Sequence, residues 1–376
     1  MIYYFCAYSP SVEITDERKL VISTAGCNRM SEIANTLSSE NDITIVSVAL
    51  TNSEESLDDC IYQVNERCKI YFPVIKSGKN QNVTMIKDAM EYVKKNIQAG
   101  DIILFYNAHY SLLPVIYAFA HKKSVKLVYQ IEEFYSTCDY YRSLKKWLLI
   151  LTERYFSKVC DAYIAVSETL TNKYLKKKPH VISYGYVESS MAVNGTKQDE
   201  TFNIVYSGRL DVDGGIDILL ESIAKIEQKC NLIITGSGPL KENVLQYVNE
   251  NPLVNIQYRG FVSEEELDNI LQQADVCLSM LRTDKAFSQK SFPSKVIKYL
   301  SYGNVVISSN VPALKDLGET FVNLYIYEDE KQLVEIINRS NGITKEVSKE
   351  KQKEVFHDFY NKKRKELATF FSEMIK

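Results

Sequence analysis

From end to end, short apolar β-rich runs alternate with helix-length amphipathic segments. The first series of candidate strands spans 41–50 (NDITIVSVAL), 101–106 (DIILFY), 124–130 (SVKLVYQ) and 161–166 (DAYIAV), and the opening run 1–8 also reads as a strand. A second series spans 202–207, 231–235, 254–258, 275–280 and 304–309. These runs are apolar on both faces, as parallel strands covered by helices on each side must be. Strand and helix in strict alternation imply an α/β protein of doubly wound parallel sheets. A chain of 376 residues is long enough for two separate cores.

The polar, aperiodic stretch 187–201 separates the two series and is expected to be a linker. That gives a first domain over 1–186, a second over 202–345, and a charged tail over 346–376. In the tail Val355, Phe356, Phe359, Leu367, Phe370 and Phe371 recur at helical spacing, so the tail is expected to cross back and pack on the first domain. The net charge of −3 argues against broad nucleic-acid binding. Eight scattered cysteines, with no CxxC and no metal-ligand spacing, read as small buried hydrophobes in a reducing compartment. No charged start or long apolar core of a signal peptide opens the chain, and no run reaches the ~20 apolar residues of a bilayer span. The expected location is the cytoplasm.

In open α/β sheets, ligands bind where strands end and helices begin, and free amides there suit phosphate. Four motifs of the second domain fall at such places. Ser207-Gly-Arg-Leu210 follows a strand, with Gly208 permitting close approach and Arg209 supplying a planar fork for phosphate oxygens. Gly236-Ser-Gly-Pro239 follows the next strand, its two glycines (Gly236 and Gly238) opening a helix or a simple turn. Arg259-Gly-Phe-Val262 precedes Ser263 and Glu266, which read as a capping box. Phe292-Pro-Ser-Lys295 opens a helix, placing Ser294 and the Lys295 ammonium at its positive end.

The order and spacing of these motifs, with Asp161-Ala-Tyr-Ile-Ala-Val-Ser167 before them and Tyr299-Leu-Ser-Tyr-Gly303 after, resemble the family 4 glycosyltransferases. The resemblance is strong over about 160–345 and looser over 1–150. It implies the GT-B arrangement of two Rossmann-like domains facing a cleft, a nucleotide-diphosphate sugar as donor, and retaining transfer with no metal or other cofactor. The acceptor it implies is a glycan or a lipid-linked glycan in surface polysaccharide assembly. Arg209 and Lys295 would then bind the donor diphosphate, Ser294 would assist, and Phe261 and Val262 would frame the base. Two departures stand out. The lysine five residues after the motif arginine is Gly214 here, and the two glutamates of the family's E-x7-E pattern are Lys290 and Lys298. A lysine cannot accept hydrogen bonds from ribose as a glutamate does, so either the donor is held differently, with Lys290 and Lys298 adding to the phosphate charge, or activity has been lost; a variant active enzyme is the expected outcome. A nucleotide-sugar epimerase and a non-catalytic nucleotide-sugar-binding protein remain open as alternatives.

In the first domain, Gly26 lies in a small-residue loop expected to precede a helix at Arg29–Leu37, facing the donor phosphates by the same resemblance. His109 and Glu133 follow strands 101–106 and 124–130 and are the candidates for contact with donor sugar or acceptor hydroxyl. In the segment 142–159, Leu144, Trp147, Leu148, Leu151, Tyr155 and Val159 form the expected core stripe. The opposite face then carries Arg142, Lys145, Lys146, Leu149 and Phe156, a mix suited to peripheral contact with a membrane.

Overall fold

The computed structural model describes residues 1–78, 80–122, 124–137, 143–185, 201–227, 229–250, 255–284 and 292–375. The chain forms two units, Met1–Val187 with Lys362–Lys376, and Glu188–Asn361.

Unit 1 contains β1 (Ile2–Cys6), β2 (Leu20–Val21), β3 (Ile43–Ser47), β4 (Leu50–Thr51), β5 (Cys60–Asn65), β6 (Cys68–Phe72), β7 (Ile102–Tyr106), β8 (Lys126–Ile131), β9 (Ala162–Ala165) and β10 (His180–Ile182). Its helices are α1 (Val12–Glu17), α2 (Thr24–Ser38), α3 (Gln81–Asn96), α4 (Leu113–Phe119) and α5 (Ser143–Val159). The main sheet runs β10-β9-β8-β7-β1-β3-β6-β5, parallel throughout except that β5 pairs antiparallel to β6. β2 and β4 form a separate antiparallel pair. Strand β1 sits centrally, with Ile2 in register with Ile43 on one side and Ile102 on the other. All five of its residues are buried, as the apolar run 1–8 requires.

Unit 2 contains β11 (Asn203–Ser207), β12 (Asn231–Thr235), β13 (Ile256–Gly260), β14 (Val276–Ser279), β15 (Val305–Ser309) and β16 (Leu324–Tyr327). These form one parallel sheet in the order β13-β12-β11-β14-β15-β16. Helices α6 (Ile216–Ile223), α7 (Lys241–Glu250), α8 (Glu264–Gln273), α9 (Ser294–Ser301), α10 (Lys315–Thr320) and α11 (Glu330–Glu346) alternate with the strands. The expected doubly wound α/β class is the one observed in both units.

The last helix, α12 (Lys349–Ile375), contributes to both units, and the division falls between Asn361 and Lys362 rather than near 346. In unit 2, the Lys349 ammonium donates to the Gln272 and Ala274 carbonyls at the end of α8, and Phe356 packs on Phe321. In unit 1, Leu367 and Phe371 enter the core that holds Ile2, Tyr4 and Leu37. The expected linker 187–201 lies outside the described residues save for Thr201.

Helix α5 turns out to be rotated relative to the expected wheel. Leu149 and Phe156 are fully buried, whereas Leu144, Trp147 and Leu151 are exposed. The buried face also takes in Thr152, Glu153 and Ser157. Its polar groups are all bonded: Glu153 accepts the Ser136 amide and hydroxyl, Ser157 bonds Asn172, and Thr152 bonds the Leu148 carbonyl. Polar side chains satisfied in this way can lie inward without penalty, which reversed the reading of the wheel. Cysteines 6, 27, 68, 160 and 277 are buried as expected, but Cys60 is exposed on β5. Among the described residues no helix is long and apolar enough to cross a membrane.

Candidate functional site

Four motifs of unit 2 converge at the C-terminal end of β11. Beyond the strand ends the ladder continues: the Gly208 amide donates to Thr235, Leu210 to Ser237, and Gly236 to Gly260. Glycine is required for that closeness. A β-carbon on Gly236, which sits at φ 122°, would stand 1.7 Å from the Gly208 carbonyl oxygen. One on Gly238 would stand 2.4 Å from the Leu210 carbonyl oxygen. The two glycines thus serve first to seat one strand-exit loop against the next. Gly260 also has positive φ, but open space surrounds it. Next to it Phe261 is 85% exposed, and Val262 is half-buried. Ser263 accepts the Glu266 amide and caps α8, as the capping-box spacing predicts.

Helix α9 brings the cations. It begins at Ser294 with Pro293 as N-cap, a residue that offers no side-chain acceptor, and Ser294 itself is exposed. Lys295 reaches back so that its ammonium donates to the Ser207 carbonyl at 2.5 Å, and the Tyr299 hydroxyl donates to the same oxygen at 3.1 Å. The Lys295 ammonium would lie 2.7 Å from a β-carbon on Gly208. Although part of the Lys295 side chain is open to solvent, burial at this crowded strand end pushes its pKa down to about 8, against the upward pull of Asp211. The Arg209 side chain is 76% exposed and its Nε pairs with Asp211 at 2.7 Å. Two cations beside a helix end without a side-chain cap make a setting into which an anion fits.

Asp211 was not foreseen, although it stands directly after the Gly-Arg-Leu motif. Its second oxygen accepts the Gly214 amide at 2.8 Å and so closes the loop. A β-carbon on Gly214 would stand 2.5 Å from the Arg209 carbonyl oxygen. The missing lysine is therefore built into the backbone, because this turn has no room for a side chain there. Lys298 has a settled environment too. Its ammonium donates to Glu264 at 2.6 Å and lies 2.9 Å from Asp268, both on α8. Its charge is thus committed to neighbouring carboxylates, and Lys290 lies outside the described residues.

In unit 1, α2 begins at Thr24, five residues before the expected start, because Ser23 caps it by accepting the Gly26 amide at 3.3 Å. Gly26 consequently sits within the first turn of the helix rather than in a loop ahead of it. His109 follows β7 and caps a short helical turn, with Nδ1 accepting the Ser111 amide. An accepting Nδ1 leaves the ring proton on Nε2. Burial, helped by Lys145, lowers the His109 pKa. The Glu132 and Glu133 amides both donate to the Asn107 side-chain oxygen. Asn107 has φ 51°, a left-handed conformation that asparagine tolerates better than most residues. This residue, unrecognised in the sequence, joins the loop of His109 to the loop of Glu133.

Glu132 is held by Arg29, whose Nε donates at 2.9 Å, and by Gln130 at 2.7 Å. Arg29 is buried and also binds Glu32 and the Ser183 carbonyl. The Glu133 carboxyl is pushed up by burial, then by Glu132 and Glu153. A buried arginine within the helix after β2 was the missed signal, with Glu32 three residues on as its first partner.

Two parallel-sheet units are the GT-B class of fold, and the second gathers cations at its strand exits. Residues 201–340 match the model of the family described as Glycosyl transferases group 1, so unit 2 carries a domain similar to that family's. Its fold is similar to that of sucrose-phosphate synthase from Thermosynechococcus elongatus, with a TM-score of 0.70 at 14% identity, covering 100% of this chain and 99% of that one. It is also similar to HepE of Anabaena in complex with UDP, with a TM-score of 0.66 at 12% identity over 99% of each chain. WaaG, a glycosyltransferase of lipopolysaccharide biosynthesis, matches with a TM-score of 0.61 at 12% identity over 98% of this chain and 99% of that one. No curated protein matches the sequence.

Proposed function

We propose that the chain transfers a sugar from a nucleoside-diphosphate donor to a glycan or lipid-linked acceptor in surface polysaccharide assembly. Anomeric configuration is retained and no divalent metal takes part. The observation that carries this reading is the gathering of Arg209, Lys295 and the start of α9 around the end of β11. A diphosphate arriving there brings about two negative charges, and two cations with helix amides offset them without a metal ion. The UDP bound by HepE makes uridine diphosphate the first nucleotide to test. Phe261, exposed beside Gly260, offers a face for the base, and in unit 1 Gly26 lies in the first turn of α2. His109, neutral at Nδ1 and carrying its proton on Nε2, is suited to donate a hydrogen bond to a sugar hydroxyl rather than to take up a proton. Glu133, with its raised pKa, is the candidate for contact with the acceptor. The reaction takes place in the cytoplasm at the inner face of the membrane, where lipid-linked acceptors are presented.

The test is a panel of nucleoside-diphosphate sugars scanned by thermal shift with the purified chain. Turnover is then measured with and without acceptor, in the presence and absence of EDTA. Stabilisation by one donor, sugar release or transfer insensitive to EDTA, and an unchanged anomer by NMR are expected. Donor binding with no transfer or hydrolysis under any condition would leave only the binding-protein reading. Interconversion of free nucleotide sugars would establish the epimerase.

A further inference from the structure

The exposed face of α5 lacks the mixture of charges that a solvated helix carries. Leu144, Trp147, Leu151, Arg154 and Lys158 recur at three- and four-residue steps, which places them on one stripe. Leu144 is 79% exposed, Trp147 59% and Leu151 39%, and Arg154 and Lys158 are exposed beyond them. The stripe is therefore apolar in its first half and cationic in its second. Tyr117 of α4, 67% exposed, neighbours Tyr155 on the flank of the stripe. Lys178 donates to the Lys158 and Cys160 carbonyls at the end of α5, which brings the exposed Lys176 and Lys177 to the cationic end.

Among the described residues, the acidic groups that face this region are engaged elsewhere. Glu153 is the sole carboxylate of α5, and it is buried on Ser136. Asp161, in the turn after the helix, accepts the Leu127 amide, and α4 has no acidic residue.

We propose that this stripe docks unit 1 on an anionic lipid surface, with Leu144, Trp147 and Leu151 at the headgroup boundary and the cations on lipid phosphates. Leucine with tryptophan beside arginine and lysine is the composition of interfacial helices. A second copy of the chain fits the stripe poorly. Antiparallel pairing sets Leu144 of one copy against Lys158 of the other, and parallel pairing sets cation against cation. The purpose of the docking rests on the lipid-linked acceptor reading above, but the docking itself does not require a donor or turnover.

Trp147 is the one tryptophan in the chain, so its fluorescence reports this surface directly. The purified full chain is mixed with phosphatidylcholine vesicles, with and without phosphatidylglycerol, in the absence of nucleotide. A blue shift of emission and protection from acrylamide are expected with the anionic vesicles only, and added salt should reverse both. Arg154→Gln with Lys158→Gln should weaken partitioning about tenfold or more. Leu144→Ser with Leu151→Ser keeps the reporter and should also release the protein, with circular dichroism unchanged. Emission unaltered by anionic vesicles, or equal binding to both vesicle types, overturns the proposal. A blue shift that grows with protein concentration and needs no vesicles assigns the stripe to a second copy instead. If vesicles bind but no sugar is transferred, the docking stands and the proposed reaction falls.

Discussion

The ammonium of Lys298 donates to the Glu264 carboxylate at 2.6 Å, tying α9 to α8 at a position where a carboxylate would be expected to meet ribose. Glu264 is 59% exposed, so the pair adds only about 0–1 kcal/mol of stability. Lys298→Ala is therefore expected to leave the melting temperature within a few degrees and nucleoside-diphosphate affinity within about twofold. Calorimetry with nucleoside and diphosphate checks this. A loss confined to the diphosphate would show that Lys298 leaves Glu264 to bind phosphate.

Arg209→Ala and Lys295→Ala should each weaken nucleoside-diphosphate binding about tenfold or more, since a charge-assisted hydrogen bond contributes roughly 1.5–3 kcal/mol. Arg209→Lys should recover only part of the loss, because the bidentate fork is gone. Undiminished diphosphate affinity in both alanine variants would remove the site.

Binding should also depend on pH through Lys295. Its pKa in the free protein is pushed down to about 8, and a bound diphosphate raises it again. Affinity is then full below about 8 and falls as pH rises past that value, while binding takes up protons. Isothermal titration in buffers of different ionisation enthalpy measures the uptake. Lys295→Arg should flatten the profile, and a profile equally steep in that variant would assign the titration elsewhere.

Two glycines with positive φ separate conformational strain from steric overlap. Gly260→Ala meets open space and should cost about 1 kcal/mol from its left-handed backbone alone. Gly236→Ala adds an overlap with the Gly208 carbonyl, and should cost well over 2 kcal/mol by chemical denaturation or prevent folding of unit 2. Equal costs would mean that the two strand-exit loops do not touch in solution.

His109→Ala should depress turnover while leaving nucleoside-diphosphate affinity nearly unchanged, because the residue lies in unit 1 and its proton faces away from Ser111. His109→Gln, which keeps a donor, should retain more activity. Parallel losses of turnover and affinity would indicate that the side chain only shapes the loop.

Much of this arrangement was legible in the sequence because each signal there was local. Unbroken apolar runs located the central strands, and Ser263 with Glu266 announced the start of α8. What escaped depended on partners distant in the chain. Strand β5 is wholly exposed, so its residues carry no burial pattern, and β10 has only three residues. The face of α5 was ambiguous because Leu148-Leu149-Ile150-Leu151 is apolar all round the helix, and the polar residues that decide the matter find their bonds at Ser136 and Asn172. Arg29 likewise looks like a surface residue until Glu132 and Ser183, more than a hundred residues away, close around it. The site motifs were readable as motifs, but the occupation of Lys298 by Glu264 and Asp268 was not.

The tight turn at Gly214 also constrains the directions in which this chain can change. Introducing a lysine there takes more than a single codon change that adds a side chain, because the new β-carbon would meet the Arg209 carbonyl and the Tyr206 hydroxyl before any charge reached a ligand. Asp211 would first have to release the Gly214 amide and the loop would have to reopen, at the expense of the arginine it steadies. Charge added for a donor would have to come from positions outside this loop.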